Sequence, residues 1–206
     1  GPELHAPTER LDVRLKLLAS EPGPLKHWSP VHVHMGSAHV MGRIALLEGD
    51  SIGPGQSGLA QLVLEEKVGA LAGDRIILRD PSATRTLAGA RVIDPFGPPR
   101  NRRTPRRLAE LVALDGREAE ILVELLQLDT GFVDTVKFGR SHNLRPVEVD
   151  RLLAEAGGQG FALIVCKVPD NRDICFVNEG FTHRVLLHNS AGKKNYGKEN
   201  EAGKIR

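Results

Sequence analysis

"HWSPVHVHMGSAHVMGRIALLE", residues 27–48, decides how the first half of this chain is read. Val31, Val33 and Met35 alternate with His32 and His34, a period of two that belongs to a strand with one face buried. Gly36-Ser37 is a turn-forming pair, and a second strand follows in "AHVMGRIALLE" (38–48). The same alternation lies upstream in "LDVRLKLLA" (11–19), where Leu11, Val13, Leu15 and Leu17 share one face with Asp12, Arg14 and Lys16 on the other. It lies downstream in "GLAQLVLEE" (58–66), "DRIILRD" (74–80) and "LAGARVID" (87–94). The intervening "GDSIGPGQSG" and "DPSATR" are rich in turn formers. Six short strands without a convincing helix predict a small antiparallel barrel or sandwich.

The second half reads differently. "GPPRNRRTPRR" (97–107) carries five arginines and no acid, which makes it a linker by its prolines and a basic patch by its charge. Thr104-Pro105 is a helix start, with a hydroxyl N-cap followed by Pro at the first helical position. Leu108, Leu111, Val112 and Leu114 continue with helical spacing. Further helices are expected over 117–128, over 134–143 with Asp134 as cap, and over 145–158 with Gly157-Gly158 as stop. "FALIVCKV" (161–168) and "DICFVN" (173–178) then read as a hairpin. Short helices followed by a two-stranded wing describe a winged helix-turn-helix. From about Pro169 to Arg206 the stretch is Asn-rich, and its end, "SAGKKNYGKENEAGKIR" (190–206), reads as disordered.

Composition bounds the class. The chain has 206 residues, 40 % hydrophobic and only 4 % aromatic, so its core must be mainly aliphatic. A net charge of +2 does not by itself demand a polyanionic partner. Cys166 and Cys175 cannot build a disulfide framework, and no segment resembles a secretory signal. No apolar run approaches the roughly 18 residues of a membrane span. A cytoplasmic, non-membrane protein is expected, and the lack of an initiator Met favours a fragment.

Four of the eight histidines fall in residues 27–39. His32 and His34 point to one strand face, but a zinc site needs three or four ligands and no acid or cysteine lies within this stretch. They read as polar-face residues, and no metal is expected. There is no GxxxxGK[ST] phosphate loop, no GxSxG elbow and no CxxC pair, so no catalytic residue is expected. Two basic features remain. Arg100, Arg102, Arg103, Arg106 and Arg107 could neutralise several phosphates. Arg79, Arg85 and Arg91 surround a turn of small residues that would let a phosphate backbone come close. In the last helix of the winged domain, Glu148, Asp150 and Glu155 nearly cancel Arg145 and Arg151, a poor footprint for DNA.

The ordered series "PLKHWSPVHVHMGSAHVMGRIALLE", "AQLVLEE", "GDRIILRDPSATRTLAGARVID" and "PPRNRRTPRRL" resembles the selenocysteine-specific elongation factor of bacteria over about residues 10–108. The helical region after it resembles that family's first C-terminal winged helix more loosely. The resemblance implies an all-β antiparallel six-stranded barrel, like the third domain of elongation factor Tu, followed by a winged helix-turn-helix. Expected boundaries are a linker at 1–8, a barrel at 9–96, a basic linker at 97–107, a winged helix at 104–178 and a tail at 179–206. Resemblance further implies that the barrel contacts selenocysteyl-tRNA through Arg79, Arg85, Thr86, Gly89 and Arg91. Ala88 and Ala90 stand where the family usually has glycine. The five linker arginines are expected to meet RNA or the ribosome. GTP, Mg and GTPase activity would belong to an N-terminal domain outside this stretch, and the selenoprotein mRNA hairpin to further C-terminal winged helices. This piece is expected to be a monomer without a cofactor or chemistry of its own. A winged-helix DNA-binding regulator with a β-barrel domain is the alternative, and a histidine metalloprotein a third reading.

Overall fold

The computed structural model of the chain describes residues 6–116, 118–128, 132–157, 161–168, 171–178, 186–188 and 194–196. It divides into two compact units, residues 1–121 with 139–145, and residues 122–138 with 146–206.

In the first unit the alternating segments become strands β1 (Thr8–Leu17), β3 (Ser29–Met35), β4 (Ala38–Leu46), β6 (Ser57–Val68), β7 (Arg75–Arg79) and β8 (Thr86–Asp94), with a small β2 (Leu25–Lys26) and β5 (Ser51–Ile52) pairing beside them. The six long strands close into a barrel in the order β1-β6-β4-β3-β7-β8, every neighbour antiparallel. Closure comes from β8 returning to β1, with Val13 opposite Val92 and Leu15 opposite Ala90. A closed barrel has no free edge, so its backbone donors and acceptors are used within the ladder.

Register sets what points inward. Leu11, Val13, Leu15 and Leu17 face the interior from β1, and Val31, Val33 and Met35 from β3, as their period predicts. Ile44, Leu46, Leu62, Ile76 and Leu78 fill the space between them. The cluster is aliphatic throughout. Each such side chain contributes roughly 1.5–3 kcal/mol through removal from water.

Part of the outer face is buried as well. Residues 97–104 run across it and lead into α1 (Pro105–Leu114), whose N-cap Thr104 accepts the Arg107 backbone N–H at 3.3 Å. Leu111 packs with Leu47, Leu59 and Ile93 from the barrel's outside, flanked by Leu108 and Leu114. The sequence places this helix at the start of the winged domain; the structure places it on the barrel. Its apolar stripe finds those three outward-facing apolar residues, which strand alternation alone would leave in water.

Beneath this cover lies a buried ionic knot. The Arg107 guanidinium donates to Asp12 Oδ2 at 2.6 Å, Asp94 Oδ2 at 2.7 Å and Glu110 Oε2 at 2.8 Å. Asp12 and Asp94 come from adjacent strands and are paired in the β1–β8 ladder. Gln61 on β6 donates from Nε2 to Asp12 Oδ1 at 2.8 Å and to the Pro98 carbonyl at 3.1 Å. Gly97 crosses so closely that a Cβ there would come within 2.8 Å of Gln61 Nε2. Burial works against the Arg107 charge, yet Asp94, Glu110 and Asp12 hold its pKa above the ordinary value. Burial pushes the Asp12 carboxyl up, while Arg107 and Gln61 pull it back.

The second unit contains α2 (Glu118–Gln127, whose first turn belongs to the first unit), β9 (Phe132–Asp134), α3 (Thr135–Ser141, shared in the same way), α4 (Pro146–Gly157), β10 (Phe161–Val168) and β11 (Asn171–Asn178). Its sheet runs β10-β11-β9, antiparallel throughout. A strand after the first helix that joins the closing hairpin is the winged-helix topology. Asp134 caps α3, accepting the Lys137 N–H at 2.8 Å. Periodicity and caps predict the helices and the hairpin but not β9, because three residues are too few to show a period. Cys166 pairs with Asp173 in the ladder and Cys175 with Ile164, so the cysteines are not cross-strand partners. Within the tail, β12 (Leu186–His188) pairs with β13 (Lys194–Tyr196). The rest of the expected poorly ordered tail lies outside the described residues.

Removing the cation from the knot strands two buried carboxylates. Arg107→Ala is expected to cost about 3–5 kcal/mol in urea denaturation, whereas Arg106→Ala, at an exposed neighbouring position, changes stability by less than about 0.5 kcal/mol.

Candidate nucleic-acid interface

The loop between β7 and β8 is built around one carboxylate. Asp80 Oδ1 accepts the backbone N–H groups of Thr84 at 2.8 Å and Arg85 at 2.7 Å. Its Oδ2 accepts the hydroxyls of Ser82 at 2.8 Å and Thr84 at 2.9 Å. Pro81 and the left-handed Ala83, at φ 53°, complete the turn. The Arg85 N–H above all, and the Ser82 and Thr84 donors after it, hold the Asp80 carboxyl far below its ordinary value against a smaller effect of burial. "DPSATR" is therefore a fixed loop, not a slack one.

This loop presents Arg85 and Thr86 outward. Arg85 keeps about half of its side chain exposed while pairing with Glu21. An open groove lies between the loop and the 17–30 segment, lined by Glu21, Lys26, Ser29, Asp80 and Arg85 among others. Gly89 is exposed on β8, and a Cβ there would meet nothing within 4 Å. Arg79 is half-buried, opposite His32 on β3 and Thr86 on β8, and its Nε is buried without a hydrogen-bond partner. Arg91 is turned toward the end of α1, where it pairs with the Asp115 carboxylate and donates to the Asp115 carbonyl at 3.1 Å. Arg14 reaches the same carboxylate at 2.7 Å. Arg79, Arg85 and Thr86 are thus brought together, while Arg91 serves the helix junction.

The linker arginines also separate. Arg100 and Arg106 are exposed, with no side-chain hydrogen bond or ion pair among the described residues. Arg103 holds the Leu47 carbonyl at 3.3 Å and the Gly49 carbonyl at 3.0 Å. Arg102 donates to Gln61 Oε1 at 3.2 Å, and its guanidinium carbon lies 5.9 Å from the centre of the Trp28 ring. Arg107 is the buried cation of the knot, with 8 % of its side chain exposed. It is committed to three carboxylates and cannot offer itself to RNA. Sequence reasoning misses Asp12, Gln61 and Asp94, because alternation assigns a polar residue on the outward face of a strand to solvent. The one signal in the sequence is the arginine run, which has to find counter-charges somewhere.

The histidines form a ladder on the barrel's outside. His34 stacks on His39 at 4.3 Å between ring centres, and His39 lies 5.0 Å from His32. His32 Nε2 is 3.0 Å from the Pro81 carbonyl, which can only accept, so Nε2 carries the proton. His32 Nδ1 then accepts from His39 Nε2 at 3.0 Å. Burial first, and His39, Arg79 and His32 after it, lower the His34 pKa and favour the neutral ring. Among the described residues no group of three or more His, Cys, Asp or Glu could hold a metal ion, and no helix is long and apolar enough to cross a membrane.

Comparison with known proteins bears on the same region. The family model of the selenocysteine-specific elongation factor β-barrel domain matches residues 8–99. The chain is similar to the selenocysteine-specific elongation factor of Escherichia coli (strain K12), 34 % identical over 134 residues, covering 65 % of this chain and 20 % of that protein. It is similar to that of Desulfomicrobium baculatum, 29 % identical over 163 residues, covering 78 % and 26 %. The Haemophilus influenzae factor is 30 % identical over 149 residues, covering 72 % and 23 %. The chain thus spans a fifth to a quarter of the length of these curated relatives.

Asp80 makes the loop acid-sensitive. Its folded pKa lies below the ordinary 3.8, so its contribution to stability is complete above that pH and is lost as pH falls through the folded value. Asp12, shifted upward, contributes in the opposite sense. Urea midpoints measured from pH 7 to pH 2.5 should therefore fall less steeply on the acid side in Asp80→Asn than in the parent chain.

Proposed function

We propose, from the match of residues 8–99 to the β-barrel domain model of selenocysteine-specific elongation factors, that this chain is the part of such a factor that holds selenocysteyl-tRNA during UGA recoding. The barrel supplies the tRNA contact, and the winged helix spaces the barrel from an end of the factor that binds the selenoprotein mRNA hairpin. The observation that carries the reading is the 80–86 loop. Asp80 fixes its backbone, its small side chains let a phosphate approach, and Arg85 stands at its edge with Arg79 and Thr86 beside it. The exposed Arg100 and Arg106 add positive charge toward tRNA or the ribosome. Arg91, paired with Asp115 and partly exposed, lies on the same strand as Thr86.

Chemistry is not assigned to this segment. The 206 residues contain no GxxxxGK[ST], so GTP and Mg are assigned to another domain of the factor, together with hydrolysis. The protein is read as a cytoplasmic monomer acting on the ribosome. A DNA-binding regulator is less well supported. On α4 the acidic Glu148, Asp150 and Glu155 offset the basic residues, and Arg151 lies 3.6 Å from Glu155.

Binding of labelled selenocysteyl-tRNA to the chain tests the proposal. Arg85→Ala and the pair Arg100→Ala with Arg106→Ala are each expected to weaken binding, most visibly at low salt. Every arginine that ceases to neutralise a phosphate should flatten the dependence of log K on log salt by about one unit. Affinity unchanged at low salt in both variants would overturn it.

A further inference from the structure

Trp28 is the chain's only tryptophan, and it sits where neither packing nor backbone geometry favours it. It is 43 % exposed, and its backbone is left-handed at φ 68°. That conformation suits glycine or asparagine; for a bulky residue it is strained, and such strain collects at functional positions. Here no full burial of the ring offsets it.

The turn that carries the ring is held firmly. The Trp28 N–H donates to the Ile44 carbonyl at 2.7 Å, the His27 N–H to the Asp50 carbonyl at 3.3 Å, and Ser29 Oγ to the Lys26 carbonyl at 2.8 Å. Cations surround it. Arg43 on β4 reaches the Trp28 carbonyl at 3.5 Å, and Lys26 precedes it on β2. Arg102 is set over the ring by its bond to the buried Gln61, which is itself fixed by Asp12. The His27 ring stacks beside it, 6.0 Å away between centres. Glu21, which lines the adjoining groove and pairs with Arg85, and Asp50, whose carbonyl accepts from His27, are acids beside this turn.

We propose that Trp28, with Arg43 and Arg102, is a stacking site for an unpaired RNA nucleotide: the base lies on the indole and its phosphate meets the guanidinium groups. An aromatic face among cations is what single-stranded nucleic acid recognition uses, since every base has a π-face and every nucleotide a charge. A protein partner is less well matched. The other exposed large apolar residues described, Leu18, Ile77, Val112 and Val147, are scattered along the chain and give the indole no apolar surround of the kind a protein hot spot needs. The groove beside Arg85 includes Lys26 and Ser29, which bracket this turn, so one strand could run from the 80–86 loop to the indole.

The proposal rests on the chain binding RNA, and its test separates the two ideas. Fluorescence of the single tryptophan reports the site directly, while anisotropy of a labelled RNA reports binding as such. A short unstructured oligoribonucleotide is expected to quench Trp28, whereas a blunt RNA duplex of equal length binds without quenching. Trp28→Gly, which relieves the backbone strain and so should fold at least as well, is expected to lose roughly ten-fold in affinity for the single strand and little for the duplex. Trp28→Phe should recover part of the loss. Single-strand binding without quenching and with full affinity in Trp28→Gly overturns the stacking site and leaves RNA binding standing. Equal quenching by heparin, a polyanion without bases, also overturns it. Failure of the single strand to bind overturns the stacking site, while the tRNA reading is decided separately by the labelled selenocysteyl-tRNA measurement.

Discussion

The fold of this chain hinges on one buried guanidinium. Arg107 arrives from helix α1 and finds two carboxylates from neighbouring barrel strands, Asp12 and Asp94, with Glu110 completing the set. Neither buried carboxylate would be tolerable without that cation. The shared guanidinium pairs them both, and the geometry leaves little freedom in where the helix can sit. Asp12 passes the constraint to Gln61, and Gln61 passes it to Pro98 and Arg102. A segment that looks like a loose basic tether becomes a fixed strap whose remaining cations, Arg100 and Arg106, are displayed from a defined position.

The barrel therefore has two kinds of outer surface. On the side of β1, β6 and β8, α1 and the strap cover part of the outward face, burying Leu47, Leu59 and Ile93 and pairing Arg14 and Arg91 with Asp115. On the side of β3, β4 and β7 the outward face remains open and carries the histidine ladder, Arg79, Arg43 and the 80–86 loop. The asymmetry allows one barrel to be rigid and to display polar groups. The sealed side holds the frame, and the open side offers groups that water or a phosphate backbone can reach.

The alternation in β1 and β3 is strong enough that the inward residues Leu11 to Leu17 and Val31 to Met35 are legible without coordinates, because a barrel interior admits only one face of each strand. The Thr104 cap and the Asp134 cap are legible for the same kind of reason, being local hydrogen bonds between near neighbours. What alternation hides is a second burial, on the outside. Asp12 and Gln61 look like solvent residues until α1 is known to cover them, and the residue that binds Asp12 is 95 positions away. The left-handed backbone at Trp28 is likewise invisible in a sequence, since nothing about the residue type predicts it. Of the arginines singled out for RNA, the sequence supplies the charge; only the structure separates the buried Arg107 from Arg85, Arg100 and Arg106, and shows Arg91 pairing with Asp115.

Helix α1 and the strap also redraw the seam along which this polypeptide can be cut or recombined. The barrel ends its strands at Asp94, yet its buried carboxylates have no cation until Arg107 and its outer apolar layer is not complete until Leu114. Any exchange of the barrel into another protein has to carry residues through Asp115, whose carboxylate anchors Arg14 and Arg91. A swap made at the proline-rich stretch, where composition changes most sharply, would separate an acid pair from the buried base both acids bind. The heritable module is thus some twenty residues longer than the sheet that defines it.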